Sequence, residues 1–372
     1  MKAVPGPRRV LFVFAWLVVG GEETEVRLLA RNLDPRRYSI EVIACMRKPN
    51  MPEQSHFQLK ELGIPVDCTP YTLPFDETVE YLCRKMAGYD LIVACQAVPD
   101  VYPALERMTV RPPLIEHGGL VREALAGSKH FTSRYIGVCR TIRDAAASIM
   151  PERPHHAVEI PSMVDLAEFR NDCRAAVRAE WSIDEETSVV GWAGRLDRKK
   201  RVENFITSAA LIHQQEPQTR FIIIGGPDAF MPEYADELRA LAVDIGLQQA
   251  IHFLGDRADM PRLLAGLDVF TWLSRGEGMP HVIAEAGAAG LAVVATRDNG
   301  SEEQITDQET GLFVPYEDPA ATASAIISLL RNPAKRRRLG ENLRRKVELE
   351  YSTAAVIPRW EALFDEVTTR SI

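Results

Sequence analysis

Apolar, β-rich runs alternate with helix-patterned segments along the whole chain. In the first half the runs are VLFVFAWLVV, IEVIAC, DLIVACQ, PPLIEHGG and YIGVC, with EVRLLARNL and EYLCRKMAG between them. In the second half they are SVVGWAGR, RFIIIGG, IHFLGD, DVFTWLS, LAVVATRDNG and GLFVP, separated by ENFITSAALIHQ, YADELRALAVDIG, MPRLLAGL and PHVIAEAGAAG. Strand–helix alternation of this kind requires parallel strands joined by right-handed crossovers, so each half is predicted to be a doubly wound α/β sheet. Runs such as RFIIIGG, apolar at successive positions, suit strands covered on both faces. The halves are expected to meet at EIPSMVDLAEFR, Glu159 to Arg170, where Pro161 ends a strand. The expected domains are 1–165 and 166–351. A last helix, about 352–372, carries Trp360, Leu363 and Phe364 at helical spacing and needs a surface to dock on.

Composition narrows the picture. A chain of 372 residues is long for one core and suits two domains. With 46% hydrophobic and 26% charged residues it reads as soluble and globular. The net charge of −8 argues against nucleic acid as a partner, so any phosphate must be met by local cations and backbone amides. The cysteines at 45, 68, 83, 95, 139 and 173 include no Cys-x-x-Cys pair. They read as free thiols suited to a reducing cytoplasm. The run Val10–Val19 follows Lys2, Arg8 and Arg9 as in a secretory leader. It is too short to span a bilayer and no small-residue cleavage site follows, so a buried first strand is the expectation.

In doubly wound sheets, ligands sit beyond the carboxyl ends of the strands, where strand order reverses. Two facing sheets would make a cleft there, and four stretches fit such positions. In GWAGRLDRKKRVENFI, Gly191 to Ile206, a strand ends at Ala193, and Arg195, Lys199, Lys200 and Arg201 follow. An Arg can fork onto two phosphate oxygens, and a Lys adds a mobile point charge. In RGEGMPHVIAEAGAAG, Arg275 to Gly290, Gly278, Met279 and Pro280 lead into a helix. Pro280 is expected at its first position, with the helix-start amides facing a ligand. Glu277 then stands outside the helix and Glu285 inside it, both suited to hydroxyl donors. In VVGGEETEV, Val18 to Val26, Gly20 and Gly21 close the first strand. In IEHGG, His117 is expected just past a strand. No Asp-x-Asp pair, Walker A loop, Gly-x-Gly-x-x-Gly fingerprint or metal-spaced His cluster occurs.

Together these residues resemble the retaining glycosyltransferases of the GT-B type, glycosyltransferase family 4, also called glycosyl transferases group 1. Glu277 and Glu285 match that family's Glu-x7-Glu motif. GRLDRKKR is similar to its Gly-Arg-Leu-x-x-x-Lys loop, with Lys200 at the lysine, and GGEE to its Gly-Gly-x-Glu loop. EIPSMVDLAEF is similar to its linker, with Ser162 and Met163 where Asn-Gly is usual. DNGSEEQITDQETGLFVP fits its late loop, with Glu303 and the turn Thr310-Gly311-Leu312. The resemblance covers nearly the whole chain and is most specific in the second half.

The resemblance implies two facing Rossmann-like domains with an interdomain cleft, and transfer of a sugar from a nucleotide-sugar donor, UDP-sugar foremost, with retention of anomeric configuration. Its implied roles are these. Arg195 and Lys200 contact the donor diphosphate, and Glu277 holds sugar hydroxyls with the amides of Gly278 and Met279. Glu285 binds the ribose, Gly20 and Gly21 border the diphosphate, and His117 stands near the transferred sugar. The base lies near His252 to Arg257. The acceptor is a hydroxyl of a glycan or small molecule, and neither a cofactor nor a metal is implied. A lipid-linked acceptor stands as an alternative, with Arg31, Arg36, Arg37 and the KRRR run at 335–338 meeting anionic lipid. A GT-B nucleotide-sugar epimerase or phosphorylase and a non-catalytic binding module are the others.

Overall fold

The computed structural model describes residues 6–49, 51–169 and 172–369, so Lys2 and Arg170 lie outside the described residues. The chain divides into two compact units, Met1–Met163 with Thr353–Ile372, and Val164–Ser352. The sequence had placed this division after residue 165.

The first unit holds strands β1 (Arg8–Trp16), β2 (Tyr38–Met46), β3 (Val66–Asp67), β4 (Leu91–Cys95), β5 (Leu114–Gly118), β6 (Thr132–Gly137) and β7 (Ala157–Glu159). They form one parallel sheet in the order β3-β2-β1-β4-β5-β6-β7. The run starting at Val10 is thus the inner strand of a sheet, and its side chains divide between two cores by the two-residue period of a strand. Val10, Phe12 and Phe14 join one cluster, and Leu11, Val13 and Ala15 the other. The helix Thr353–Thr369 docks on the first of these through Val356, Ile357, Trp360, Leu363, Phe364 and Val367. Its polar side is tied as well: Arg37 pairs with Glu361 at 3.0 Å and Asp365 at 2.6 Å. Arg36 pairs with Asp34 at 2.8 Å. Arg36 and Arg37, both offered to a lipid surface, therefore already face carboxylates.

The second unit holds β8 (Val189–Ala193), β9 (Arg220–Ile224), β10 (Ile251–Phe253), β11 (Val269–Trp272), β12 (Ala292–Thr296) and β13 (Leu312–Val314). The order is β10-β9-β8-β11-β12-β13, again all parallel. The chain winds outward from β8 to β10, then crosses back to β11 on the other side of β8. Strand order reverses between β8 and β11 here, and between β1 and β4 in the first unit. Those are the points where a parallel sheet leaves a crevice at its carboxyl edge. Among the described residues no helix is long and apolar enough to cross a membrane.

One buried ion pair joins β5 to the segment just before β6. Lys129 Nζ lies 2.7 Å from Glu116 Oε2 on β5, with the side chains 1% and 2% exposed. Tyr102 and Thr132 hydroxyls donate to the other carboxylate oxygen. Removing one partner strands a charge away from water, which costs about 3–5 kcal/mol, whereas removing both does not. Lys129→Met is expected to lower stability in urea unfolding by about that amount, with Glu116→Gln/Lys129→Met recovering a good part of it.

Candidate functional site

At the second unit's switch point, β8 ends at Ala193 and the chain turns through Gly194 and Arg195. Asp197 then accepts the Lys199 amide at 2.9 Å and caps the short turn Arg198–Lys200. Arg201, at φ 52°, is left-handed and redirects the chain into the helix Val202–Gln215. This local geometry turns the basic run back over the strand end. From β11, on the other side of the crevice, Ser274 to Glu277 follow the last strand residue, Trp272.

The two loops meet through charge. Lys200 Nζ lies 2.9 Å and Lys199 Nζ 3.4 Å from the same oxygen of Glu277, which also accepts the Ser274 hydroxyl at 2.6 Å. Lys200 sits over the Trp272 ring at 4.9 Å, and that ring stacks on Trp192 of β8 at 6.0 Å. The lysine is 12% and the glutamate 14% exposed, so both are held rather than solvated. Burial alone would raise the Glu277 pKa, but the two ammonium groups outweigh it and keep the carboxyl below its ordinary value. Arg195 is steered separately: its Nη1 lies 2.9 Å from Asp228 Oδ2, which comes from the loop after β9.

The loop after β12 fixes the turn that carries Glu277. The Glu277 amide donates to Asp298 at 2.7 Å, Asn299 Nδ2 donates to the Glu277 carbonyl at 2.6 Å, and the Gly300 amide donates to the Gly278 carbonyl at 2.7 Å. Gln304 Nε2 holds the Pro280 carbonyl at 3.0 Å. Gly300 is tightly enclosed: a Cβ there would stand 2.3 Å from the Gly278 oxygen and 2.6 Å from Met279 Cα. Pro280 differs from its expected place. With ψ at 114° it is extended and flanks the helix, which runs His281–Ala288. Glu285 is half-buried in that helix. At the sheet edge, His252 lies in β10, while Arg257 pairs with Asp259 at 2.8 Å and Glu180 at 3.0 Å.

In the first unit two expectations need correction. Gly20 and Gly21 do not close the first strand, which ends at Trp16. Gly20 flanks the helix Gly21–Asn32 in extended backbone, and Gly21 opens it. His117 is not past its strand but inside β5, 5% exposed, because that strand continues to Gly118. Around His117 gather groups whose significance was not visible in the sequence. Glu22 Oε1 lies 3.5 Å from His117 Nδ1, and Gln96 Nε2 donates to Glu22 Oε2 at 3.0 Å. Cys95 is the registered neighbour of His117 on β4. Glu25 accepts the Trp360 indole N–H at 3.2 Å. Burial pushes the Glu25 carboxyl up to about 7, against the pull of His117 and Trp360. Burial would lower the His117 pKa, but the contact with Glu22 outweighs it and raises it.

Residues 174–346 match the family model described as glycosyl transferases group 1. The second unit belongs to the glycosyl transferases group 1 family. A relative from Corynebacterium efficiens, a D-inositol 3-phosphate glycosyltransferase, is 32% identical over 197 residues, covering 52% of this chain and 46% of that protein. One of the same name from Nocardia farcinica is 26% identical over 306 residues, covering 76% and 67%. The chain thus spans about half the length of the Corynebacterium protein. Anabaena HepE, solved in complex with UDP and glucose, superposes with a TM-score of 0.84 at 21% identity, covering 96% of this chain and 99% of that one. That likeness gives the fold: two parallel-sheet α/β domains of the GT-B type.

Within this glycosyl transferases group 1 unit, the structure brings Lys200 and Glu277 together and sets the Gly278–Pro280 turn beside them. Asp228, Ser274, Trp272, Asp298, Asn299 and Gly300 also build the site and had not been singled out. All but Trp272, the last residue of β11, stand in segments that follow a strand end, as Arg195 does.

Two outcomes follow from this geometry. Alanine in a helix is normally favoured over glycine by about 1 kcal/mol, yet Gly300→Ala forces backbone against backbone. The variant is therefore expected to melt below the parent in calorimetry, where free space would give the opposite sign. Folding also holds a proton on Glu25 that the unfolded chain releases above its ordinary pKa of 4.5, so stability contributed there falls as pH rises from about 4.5 to about 7. Glu25→Gln is expected to remove a loss on the order of 3 kcal/mol across that window in pH-dependent urea unfolding, leaving the declines due to the raised Asp100, Glu123 and His117.

Proposed function

We propose that this protein is a retaining glycosyltransferase that moves a sugar from a UDP-sugar to a hydroxyl of a small polyhydroxylated acceptor or glycan. The observation that carries the reading is the Lys200–Glu277 ion pair at the β8/β11 switch point of a unit belonging to the glycosyl transferases group 1 family. The nucleotide is favoured as UDP because HepE was solved with it, and a polyol acceptor because relatives are D-inositol 3-phosphate glycosyltransferases.

The free site pairs cation with anion, so neither is buried alone. A nucleotide sugar offers each a better partner. Its diphosphate takes Lys200 and Arg195, and its sugar hydroxyls donate to Glu277. The ammonium of Lys199 adds positive charge beside the phosphates, while the Gly278 and Met279 amides meet the sugar and Glu285 the ribose. As the glycosidic bond lengthens, negative charge grows on the departing phosphate, and the fixed cations stabilise it more than they stabilised the bound donor. In the reading proposed here the acceptor hydroxyl attacks from the face the nucleotide leaves, giving its proton to a phosphate oxygen. The configuration is retained without a covalent intermediate on the protein. Diphosphate charge is met by Arg, Lys and amides, so a metal is not required for donor binding. A sugar hydroxyl is the ligand this reading gives His117, which lies 3.5 Å from Glu22.

Thermal stabilisation by UDP-, GDP- and ADP-sugars, with and without EDTA, tests this reading. A ligand at a hundred times its dissociation constant adds about 2.7 kcal/mol. The expected result is a shift with a UDP-sugar that EDTA leaves unchanged and that Glu285→Ala and Arg195→Ala abolish, with Lys200→Ala costing about a hundredfold or more in kcat. A shift confined to GDP- or ADP-sugars would overturn the UDP assignment.

A further inference from the structure

We propose that Glu22, Cys95 and His117 form a site for a borderline-soft divalent cation, Zn2+ in the first place, with water or an incoming oxygen as fourth ligand. One ligand atom from each residue lies within 4.8 Å of the others, and all three residues are buried. They come from three elements: the first turn of the helix Gly21–Asn32, the end of β4 and the end of β5. Parallel pairing sets Cys95 beside His117 in register, so both side chains leave the sheet on the same face.

Two of the three side chains carry a buried polar atom without a hydrogen-bond partner. Glu22 Oε1 and His117 Nε2 are buried and make no hydrogen bond among the described residues. Buried polar atoms are rarely left without a partner unless an ion, a water or a catalytic role accounts for them.

The donor set chooses among cations. Thiolate, imidazole and one carboxylate suit Zn2+, whereas Ca2+ and Mg2+ prefer all-oxygen shells. Ligands at about 2.0–2.3 Å from a tetrahedral Zn2+ stand about 3.5 Å apart, so closure asks for side-chain shifts of about 1 Å. Gln96, donating to Glu22 Oε2, is placed to orient the carboxylate as outer-shell partners of metal ligands do. On binding, Cys95 coordinates as thiolate and its proton passes to solvent. Occupancy also takes His117 away from a sugar hydroxyl, so bound Zn2+ is expected to inhibit. The binding itself does not depend on glycosyl transfer being the activity.

The test uses the full chain, stripped by chelator and titrated with Co2+ in place of spectroscopically silent Zn2+. The expected result is a thiolate-to-cobalt absorption band in the near ultraviolet that saturates at one equivalent and is displaced by Zn2+. Cys95→Ser should lose the band, Cys45→Ser should keep it, and Glu22→Gln should weaken binding about tenfold or more. Absence of the band from stripped, natively folded protein, or its survival in Cys95→Ser, overturns the proposal. A second reading guards against a variant that does not fold: Zn2+ should slow alkylation of Cys95 in the parent chain, mapped by mass spectrometry. Equal alkylation with and without Zn2+ overturns it too.

Discussion

A parallel strand can be followed by its neighbour only through a crossover, so every strand of such a sheet delivers its carboxyl end to the same edge. In the second unit this one constraint gathers Arg195, Asp228, Glu277 and Asp298 from four separate loops. None of these residues is near another in sequence except through the sheet. The reversal of strand order between β8 and β11 then opens the crevice at the place where the basic loop and the acidic turn emerge. Sheet topology, rather than any single motif, makes the site possible.

Within that frame the ion pair sets a compromise. A buried carboxylate or ammonium alone would be expensive, and the pair offsets most of that cost without adding much net stability. What it gives is position. Lys200 is fixed between the Glu277 carboxylate and the Trp272 ring, and Glu277 between two lysines and Ser274. Side chains held this way lose little freedom when a ligand replaces one partner by another, so less of the binding energy is spent on ordering them. The backbone beneath is fixed to the same degree, since the β12 loop holds Glu277, Gly278 and Pro280 by main-chain groups. A glycine at 300 is what allows the two segments to approach so closely.

Much of this was legible in the sequence, because strand ends announce themselves. Ala193 followed by Arg195 to Arg201, and Leu273 followed by Arg275 to Glu277, read as chemistry because charge clusters there. Asp228, Asp298 and Asn299 did not, because Asp, Asn and Gly are also the common residues of turns. The helix Val98–Arg107 was hidden by Pro103 in its interior, a residue that opposes helix and is overruled here by the packing of Val101, Ala104 and Leu105. Strands β3 and β7, of two and three residues, are too short to show a period.

Glu22, Cys95 and His117 were the hardest to read, and the reason is physical. Each has an ordinary explanation alone: an acid in a first helical turn, a thiol in an apolar strand, a histidine near a glycine pair. Only pairing β4 with β5 puts the thiol beside the ring, and only the helix after β1 brings the carboxylate to both. The same burial that raises the Glu25 carboxyl to about 7 keeps a proton beside this trio. A fold that builds such a pocket must keep protons there or admit a cation. The two options are coupled, since a metal binds there only as its ligands give up protons. Whatever enters the first unit at that edge therefore meets a site whose charge is set by pH before it is set by the ligand.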